Sequence, residues 1–370
     1  MYENLYHVIL AGGSGTRFWP LSRRDKPKQF LELVGAEPMI RQTAERCSAS
    51  GPRELIYVSA GEEHRARVLS ALPWLPAQRF IGEPIARNTA PAVGLSAMTL
   101  FMADPEAVAV FCPADHVYDD PAAYRAAIDT AVEAAASGDF LVTLGIAPTR
   151  PETGYGYIEA GEAAGPEGVR RASRFIEKPD EDLARQLASS GRHYWNSGVF
   201  IWRISSILAA IGRHHRVLAE ALARFRDAAR AAAGPGPVAD PFSLPGVVPV
   251  LTELFKAQPA ISIDYAVMEK APNVLLVPCD AGWSDVGSWD AIADLGPADE
   301  MGNVLSGEVV AIGSSNNMVR AEGRVIALAG VDGLIVVETA DALLICRRGA
   351  SQKVREVVAA LSGKDRSDLI

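Results

Sequence analysis

Cysteine and histidine are sparse in this sequence, and neither is arranged for chemistry. The four cysteines, Cys47, Cys112, Cys279 and Cys346, lie far apart with no CxxC spacing. That excludes a thiolate zinc site and a disulfide framework, and it fits a reducing cytoplasm. The six histidines yield no Ser–His–acid or Cys–His arrangement. No apolar run reaches the length of a membrane span. The N-terminus enters its first apolar run without the charged, apolar and small-residue order of an export signal. A soluble, cytoplasmic protein without a membrane partner is expected. Net positive charge is lacking too: the balance is −9, which argues against nucleic acid, whose phosphate backbone needs a basic face. Two nucleotide-binding signatures are also missing. There is no GxxxxGK[ST] loop, and GGSGTR does not fit the GxGxxG of dinucleotide folds.

What positive charge there is gathers in one place. Val8, Ile9 and Leu10 form a short apolar run that stops at Gly12, Gly13 and Gly15, reading as a buried strand that opens into a glycine-rich turn. Successive N–H groups in such a turn make a nest for anionic oxygens, with no side chain to hold phosphates off. Arg17, Arg23, Arg24, Lys26 and Lys28 follow, with Asp25 the only acid among them. Strand, surface turn and solvated basic loop is the plain alternative for any single motif of this kind.

A chain of 370 residues, half of them apolar, suits one large nucleotide-binding domain with a smaller appendage. Strand and helix patterns alternate over the first half, as a mostly parallel sheet with covering helices requires. AVAVFC, Ala107 to Cys112, reads as a strand buried on both faces that runs into Pro113-Ala114-Asp115-His116. Asn88 is placed to cap a helix through Phe101, with Pro91 in its first turn. From Gly154 to Trp202 the pattern becomes that of a mixed or antiparallel layer. Ser262 to Lys270 reads as helical, and Trp283-Ser284-Asp285 as a turn before a helix near Ser288. Beyond about Gly296, short β runs around Val309, Val319, Val325, Ile335 and Leu344 lie mostly nine to ten residues apart. They suggest a small β-helix or a meander, closed by a helix over Ser351 to Leu361. The expected division is residues 1–295 and 296–370.

Asp115 in FCPADH and Asp285 in GWSDVGSW each follow an apolar run. Either cap turns or hold Mg²⁺, which takes one or two carboxylates together with phosphate oxygens and water. His116 gets a bland reading, since an ionised phosphate oxygen needs no base. Glu177 and Lys178 in FIEKP are by default a surface ion pair, yet Pro179 forces an extended exit. Gly154 and Gly156 in GYGYIE, and Asn196 in WNSGVF, taken separately read as a hairpin and a strand start.

Together these stretches resemble a known family. LAGGSGTRFWPLSR with KPKQF, EPIARNTAPA, GYGYI, FIEKP and WNSG match the sugar-nucleotide pyrophosphorylases in order over about residues 5 to 290, and WPLSR with KPKQF points to their mannose-1-phosphate guanylyltransferase branch. Phe18 stands where leucine or methionine is commoner, a conservative departure. The resemblance implies a Rossmann-like, GT-A-like α/β fold, a mixed sheet flanked by helices, with a small C-terminal β domain forming a short left-handed β-helix that helps subunits pair as a homodimer. It implies transfer of GMP from GTP to α-D-mannose 1-phosphate with Mg²⁺. Leu10, Gly12, Gly13, Ser14, Gly15 and Thr16 would then cradle the nucleotide, with Glu83 and Asn88 near the guanine edge. Arg17 and Lys28 would stabilise the triphosphate and the departing pyrophosphate, and Lys178 would align the acceptor phosphate. Gly156, Glu177 and Asn196 would meet the hexose, while Asp115 and Asp285 hold the metal. Longer relatives carry a cupin-like phosphomannose isomerase domain that these 370 residues lack, so no isomerase activity is expected. The rivals are another hexose-1-phosphate nucleotidyltransferase and a non-catalytic GDP-sugar-binding regulatory subunit. The full set of Arg17, Lys28 and the two aspartates favours the enzyme.

Overall fold

The computed structural model describes residues 4–13, 15–364 and 366–370. In chain order the strands of its first part are β1 (Leu5–Leu10), β2 (Ile56–Gly61), β3 (Phe80–Glu83), β4 (Val108–Pro113), β5 (Val117–Tyr118) and β6 (Leu141–Ile146). They continue with β7 (Gly156–Ala163), β8 (Arg170–Glu177), β9 (His193–Arg203), β10 (Val274–Pro278) and β11 (Trp283–Ser284). Packing sorts the chain into two units. One comprises Met1–Gly12, Thr43–Ala114 and Tyr118–Trp283; the other comprises Gly13–Gln42, Asp115–Val117 and Ser284–Ile370.

The first unit is built on a nine-stranded sheet of order β3-β2-β1-β4-β9-β6-β10-β8-β7. β1 lies parallel to both β2 and β4, with Ile9 opposite Val58 on one side and Cys112 on the other. Its run of apolar residues suits a central parallel strand with both faces covered. β9 inserts antiparallel between β4 and β6, which makes the sheet mixed. Phe111, Phe200 and Trp202 pack together there, the last two stacked at 5.3 Å. The helix Thr89–Ala103 is buried almost all round, so its sequence shows little amphipathic pattern. Pro121–Ala136 begins conventionally: Pro121 occupies its first turn and the Asp120 side chain accepts from the N–H groups of Ala122 and Ala123. Gly234 to Gly246, rich in glycine and proline, contains only the short 3₁₀ turn Pro241–Ser243 before the helix Val247–Lys256 begins.

The second unit carries the remaining strands, β12 (Val304–Ser306), β13 (Val309–Ile312), β14 (Met318–Arg320), β15 (Ile326–Ala329), β16 (Leu334–Glu338) and β17 (Leu343–Arg347). Each of the first three coils back onto the strand after next: β12 pairs with β14, β14 with β16, and β13 with β15, all parallel. A meander would pair consecutive strands antiparallel, so the coil is the β-helix alternative. β17 closes it by turning antiparallel to β16. Asn317 and Asn303 are buried at one corner, where the Asn317 amide donates to Asn303 Oδ1 at 3.0 Å.

This unit's core draws residues from widely separated segments. Phe18, Trp19, Leu31 and Met39 pack with Val286, Trp289, Ile335, Val337, Leu344 and Val354. The Phe18 and Trp289 rings meet edge to face at 5.3 Å, and Trp19 Nε1 donates to the Leu369 carbonyl at 2.8 Å. Packing therefore divides the chain differently from the linear 1–295 and 296–370 boundary. The basic arm behind the glycine turn belongs with the C-terminal strands, because its aromatic side chains are buried among them.

Candidate functional sites

In the second unit, Lys28 organises what surrounds it. Pro27 precedes a 3₁₀ turn, Lys28–Phe30, whose three residues are all buried. The Lys28 ammonium lies 2.8 Å from Asp115 Oδ2, and it donates to the backbone oxygens of Asp115 at 3.0 Å and Asp285 at 2.6 Å. An ammonium has three N–H donors, and these three acceptors use them. Phe18 covers the nitrogen with its ring centroid at 5.6 Å. Burial by itself would push the Asp115 carboxyl up; the Lys28 ammonium, helped by His116, outweighs it and holds the group below its ordinary value.

Three backbone positions serve this arrangement. A Cβ on Gly15, at φ 57°, would lie 2.6 Å from both the nitrogen and the Cβ of Lys28, so glycine is required there for packing against the lysine. Val286 has φ 47°, a left-handed conformation that costs a β-branched residue on the order of 1–3 kcal/mol. Ser284 Oγ, which accepts from the Val286 N–H at 3.1 Å, helps to hold that turn. A Cβ on Gly287 would come within 2.9 Å of Asp285 Oδ2, so its absence leaves room for the carboxylate. Arg17 reaches the Gly287 carbonyl at 3.4 Å.

Gly15, Thr16, Arg17, Phe18, Lys28, Asp115, His116, Asp285, Val286, Gly287 and Arg355 line a pocket of about 270 Å³. Arg17, Lys28, Asp115 and Asp285, proposed from distant parts of the sequence, thus come together. Gly13, at φ 145°, has open space where a Cβ would sit, and so does Gly12 in the first unit. Ser14 lies outside the described residues. Among the described residues no group of three or more His, Cys, Asp and Glu could hold a metal by itself. Two carboxylates beside a pocket instead suit a hard cation that also takes phosphate oxygens, the habit of Mg²⁺.

In the first unit, the end of β8 faces the start of β7. Gly156 is in register with Glu177. A Cβ there would meet Glu177 Oε2 at 2.4 Å and Phe175 Cε1 at 3.1 Å, so Gly156 leaves space for the carboxylate. Lys178 has φ 47°, which ends the alternation of strand side chains, and its ammonium lies 2.8 Å from Glu177 Oε1. The pair is uneven: the Glu177 side chain is 7% exposed and that of Lys178 56%. β9 supplies Asn196 beside a bulge in its pairing with β6. Asn196 Oδ1 accepts from Thr143 Oγ at 3.1 Å and from the Gly198 N–H at 3.2 Å, and its amide donates to Asp264 Oδ1 at 2.9 Å.

Asp264 opens a π-helical turn, Asp264–Met268. Burial first, and then the negative charge of Glu177, push its carboxyl up to about 7. ISIDYAVMEK looks like one helix, and the signal available for Asp264 is that it is the single acid between Ile261 and Met268. Tyr155, Trp195 and Trp283 form an aromatic group in the same unit, with Tyr155 edge-on to both tryptophans at 5.2 and 5.3 Å.

The residues suggested for the guanine edge lie elsewhere in the first unit. Glu83 ends β3, buried, and accepts from Ser59 Oγ at 3.2 Å. Burial raises its carboxyl to about 7, partly opposed by that hydrogen bond. Asn88, at φ 67°, caps the helix that follows, its side chain accepting from the Thr89 N–H. Leu10 ends β1, and its carbonyl accepts from the Ala114 N–H at 3.0 Å.

Residues 6–301 match the nucleotidyl transferase family model. The chain belongs to that family. Residues 307–361 match the model of the MannoseP isomerase/GMP-like beta-helix domain, in keeping with the parallel coils described above. Among relatives of this nucleotidyltransferase, the alginate biosynthesis protein AlgA of Pseudomonas aeruginosa is 40% identical over 98% of this chain and 73% of its own length. A mannose-1-phosphate guanylyltransferase of Escherichia coli is 38% identical over 98% of this chain and 75% of its own. The crystal structure described as mannose-1-phosphate geranyltransferase from Thermus thermophilus superposes with a TM-score of 0.84 at 35% identity, covering 97% of this chain and 99% of that one. The nucleotidyltransferase is thereby a member of the sugar-nucleotide pyrophosphorylases, with a Rossmann-like mixed sheet and a C-terminal β-helix domain.

Proposed function

We propose that this nucleotidyltransferase transfers GMP from GTP to α-D-mannose 1-phosphate, giving GDP-mannose and pyrophosphate. The observation that carries the reading is the Lys28 ammonium joining Asp115 and Asp285 at one pocket with Arg17. In the reaction, an oxygen of the sugar phosphate forms a bond to the α-phosphorus of GTP. The bond from that phosphorus to the bridging α–β oxygen breaks, and pyrophosphate leaves with the electron pair. The nucleophile is already ionised, so no general base is called for, and the protein contributes positioning and charge stabilisation.

Asp115 and Asp285 would hold Mg²⁺, which when bound supplies positive charge to the triphosphate. Lys28 keeps the two aspartate segments in register through its three bonds, and its charge adds to the field without a free donor. Arg17, on the pocket wall, would donate to phosphate oxygens. Lys178, the exposed member of its pair, would hold the 1-phosphate, while Glu177 and Asn196 offer polar groups to hexose hydroxyls. Glu83 and Asn88 would select guanine. A homodimer in the cytoplasm completes the proposal.

Pyrophosphate release, measured for GTP, dTTP, UTP and ATP against mannose and glucose 1-phosphates with Mg²⁺, tests it. GTP with mannose 1-phosphate should turn over fastest. A clear preference for another base or sugar would replace the substrate assignment, and inactivity across the grid would remove the enzymatic one.

A further inference from the structure

Arg355 comes from the part of the chain that matches the β-helix domain model, 307–361, and lies outside the nucleotidyl transferase match. It nevertheless lines the pocket of Lys28, Asp115 and Asp285. Its backbone is fixed there by its own helix, Val354–Ser362. Val354 and Val358, on either side of Arg355 along that helix, are buried in one core with Phe18, Trp19 and Trp289, and the helix packs against the turn Thr16–Phe18 that carries Arg17. Arg355 itself is exposed.

Position in the helix argues that the charge is not there for local stability. Arg355 is in the first turn, at the positive end of the macrodipole, where a cation is disfavoured and an acid preferred. The pocket, by contrast, has use for another donor. Lys28 has its three N–H groups committed to Asp115 and Asp285, so it cannot donate to a phosphate without releasing one of them. A planar guanidinium at the rim offers paired donors matched to the oxygens of a diphosphate.

We infer that Arg355 binds the diphosphate that becomes the leaving group, so that the C-terminal domain contributes a substrate-binding residue to the transfer site. The inference rests on the guanylyl-transfer reading for its substrate, but it concerns a polyphosphate contact that can be measured without turnover.

The test uses the full chain with Arg355→Ala, Arg355→Lys and, as a control on the preceding turn, Lys353→Ala. Binding of inorganic pyrophosphate with Mg²⁺ is followed by calorimetry, and cleavage of GDP-mannose by pyrophosphate is followed by GTP formation. Arg355→Ala should weaken pyrophosphate binding and raise its KM about tenfold, leaving the KM for GDP-mannose within about twofold. Arg355→Lys should recover part of the loss, and Lys353→Ala should match the parent. Unchanged pyrophosphate affinity in Arg355→Ala overturns the inference. So does an equal loss for both substrates accompanied by a lowered melting temperature, which would mark a structural role. If the parent protein fails to cleave GDP-mannose, the guanylyltransferase reading falls, and the calorimetric comparison still decides the role of Arg355.

Discussion

The Lys28 ammonium and the Asp115 carboxylate stand 2.8 Å apart, with the lysine almost fully enclosed and the aspartate one-third exposed. Replacing Lys28 by alanine strands that carboxylate and leaves two backbone carbonyls, of Asp115 and Asp285, without their donor. Lys28→Ala should cost about 3 kcal/mol in urea denaturation and lower turnover by at least about a hundredfold. Lost activity at unchanged stability would show that the lysine acts on substrate and not as the tie between the two segments.

Lys178 is a contrasting cation, over half exposed and outside any core. Lys178→Ala leaves the mostly buried Glu177 carboxylate without its ion pair, so it should cost about 1 kcal/mol of unfolding free energy while reducing turnover by roughly two orders of magnitude. Arg17→Ala should bring a similar loss of turnover. Near-parental rates in either variant would withdraw its role.

Gly156 gives a sharper probe, because the obstruction it avoids is the Glu177 carboxylate at 2.4 Å. Gly156→Ala should push that side chain aside, raising the KM for mannose 1-phosphate about tenfold while leaving the KM for GTP unchanged. An equal rise in both constants would point to a general distortion of β7 and β8.

Glu83 makes stability depend on pH. Its carboxyl keeps its proton up to about 7 in the folded chain, whereas the unfolded chain releases it near the ordinary carboxylate value. Between those values the folded state binds the extra proton, so the stability present in acid is lost as pH rises through 7. Glu83→Gln should flatten the fall in unfolding free energy between pH 5 and pH 8, by an amount on the order of 3 kcal/mol. Asp264, also raised to about 7, has the same sign and should account for some of what remains. A parent midpoint that climbs over this range would contradict both.

Local physics made much of the first unit readable. AVAVFC could only be a strand covered on both faces, and β4 is one. NTAPA combines an amide acceptor with a proline in the first turn, and Asn88 caps the helix as those residues require. Other features depend on pairings that sequence spacing does not encode. Spacings mostly of nine or ten residues fit either a hairpin series or half a coil, and parallel registers such as Val309 with Ile326 and Met318 with Ile335 separate them. The part played by Lys28 was hidden because its acceptors lie 87 and 257 residues away. Asp264 was concealed by a π turn, which a 3.6-residue period does not reveal.

A ribosome delivers Trp19 some 350 residues before Leu369, the carbonyl that receives its indole hydrogen. The arm bearing Arg17 and Lys28 therefore emerges with its aromatic side chains uncovered, and waits until the distant segments that will bury them have been made. Long-range closure of this kind is slow and leaves sticky surface exposed meanwhile. Catalytic competence would thus come late to the nascent chain, and a chaperone that shields its opening residues would matter more to yield than one acting on the middle of the sequence.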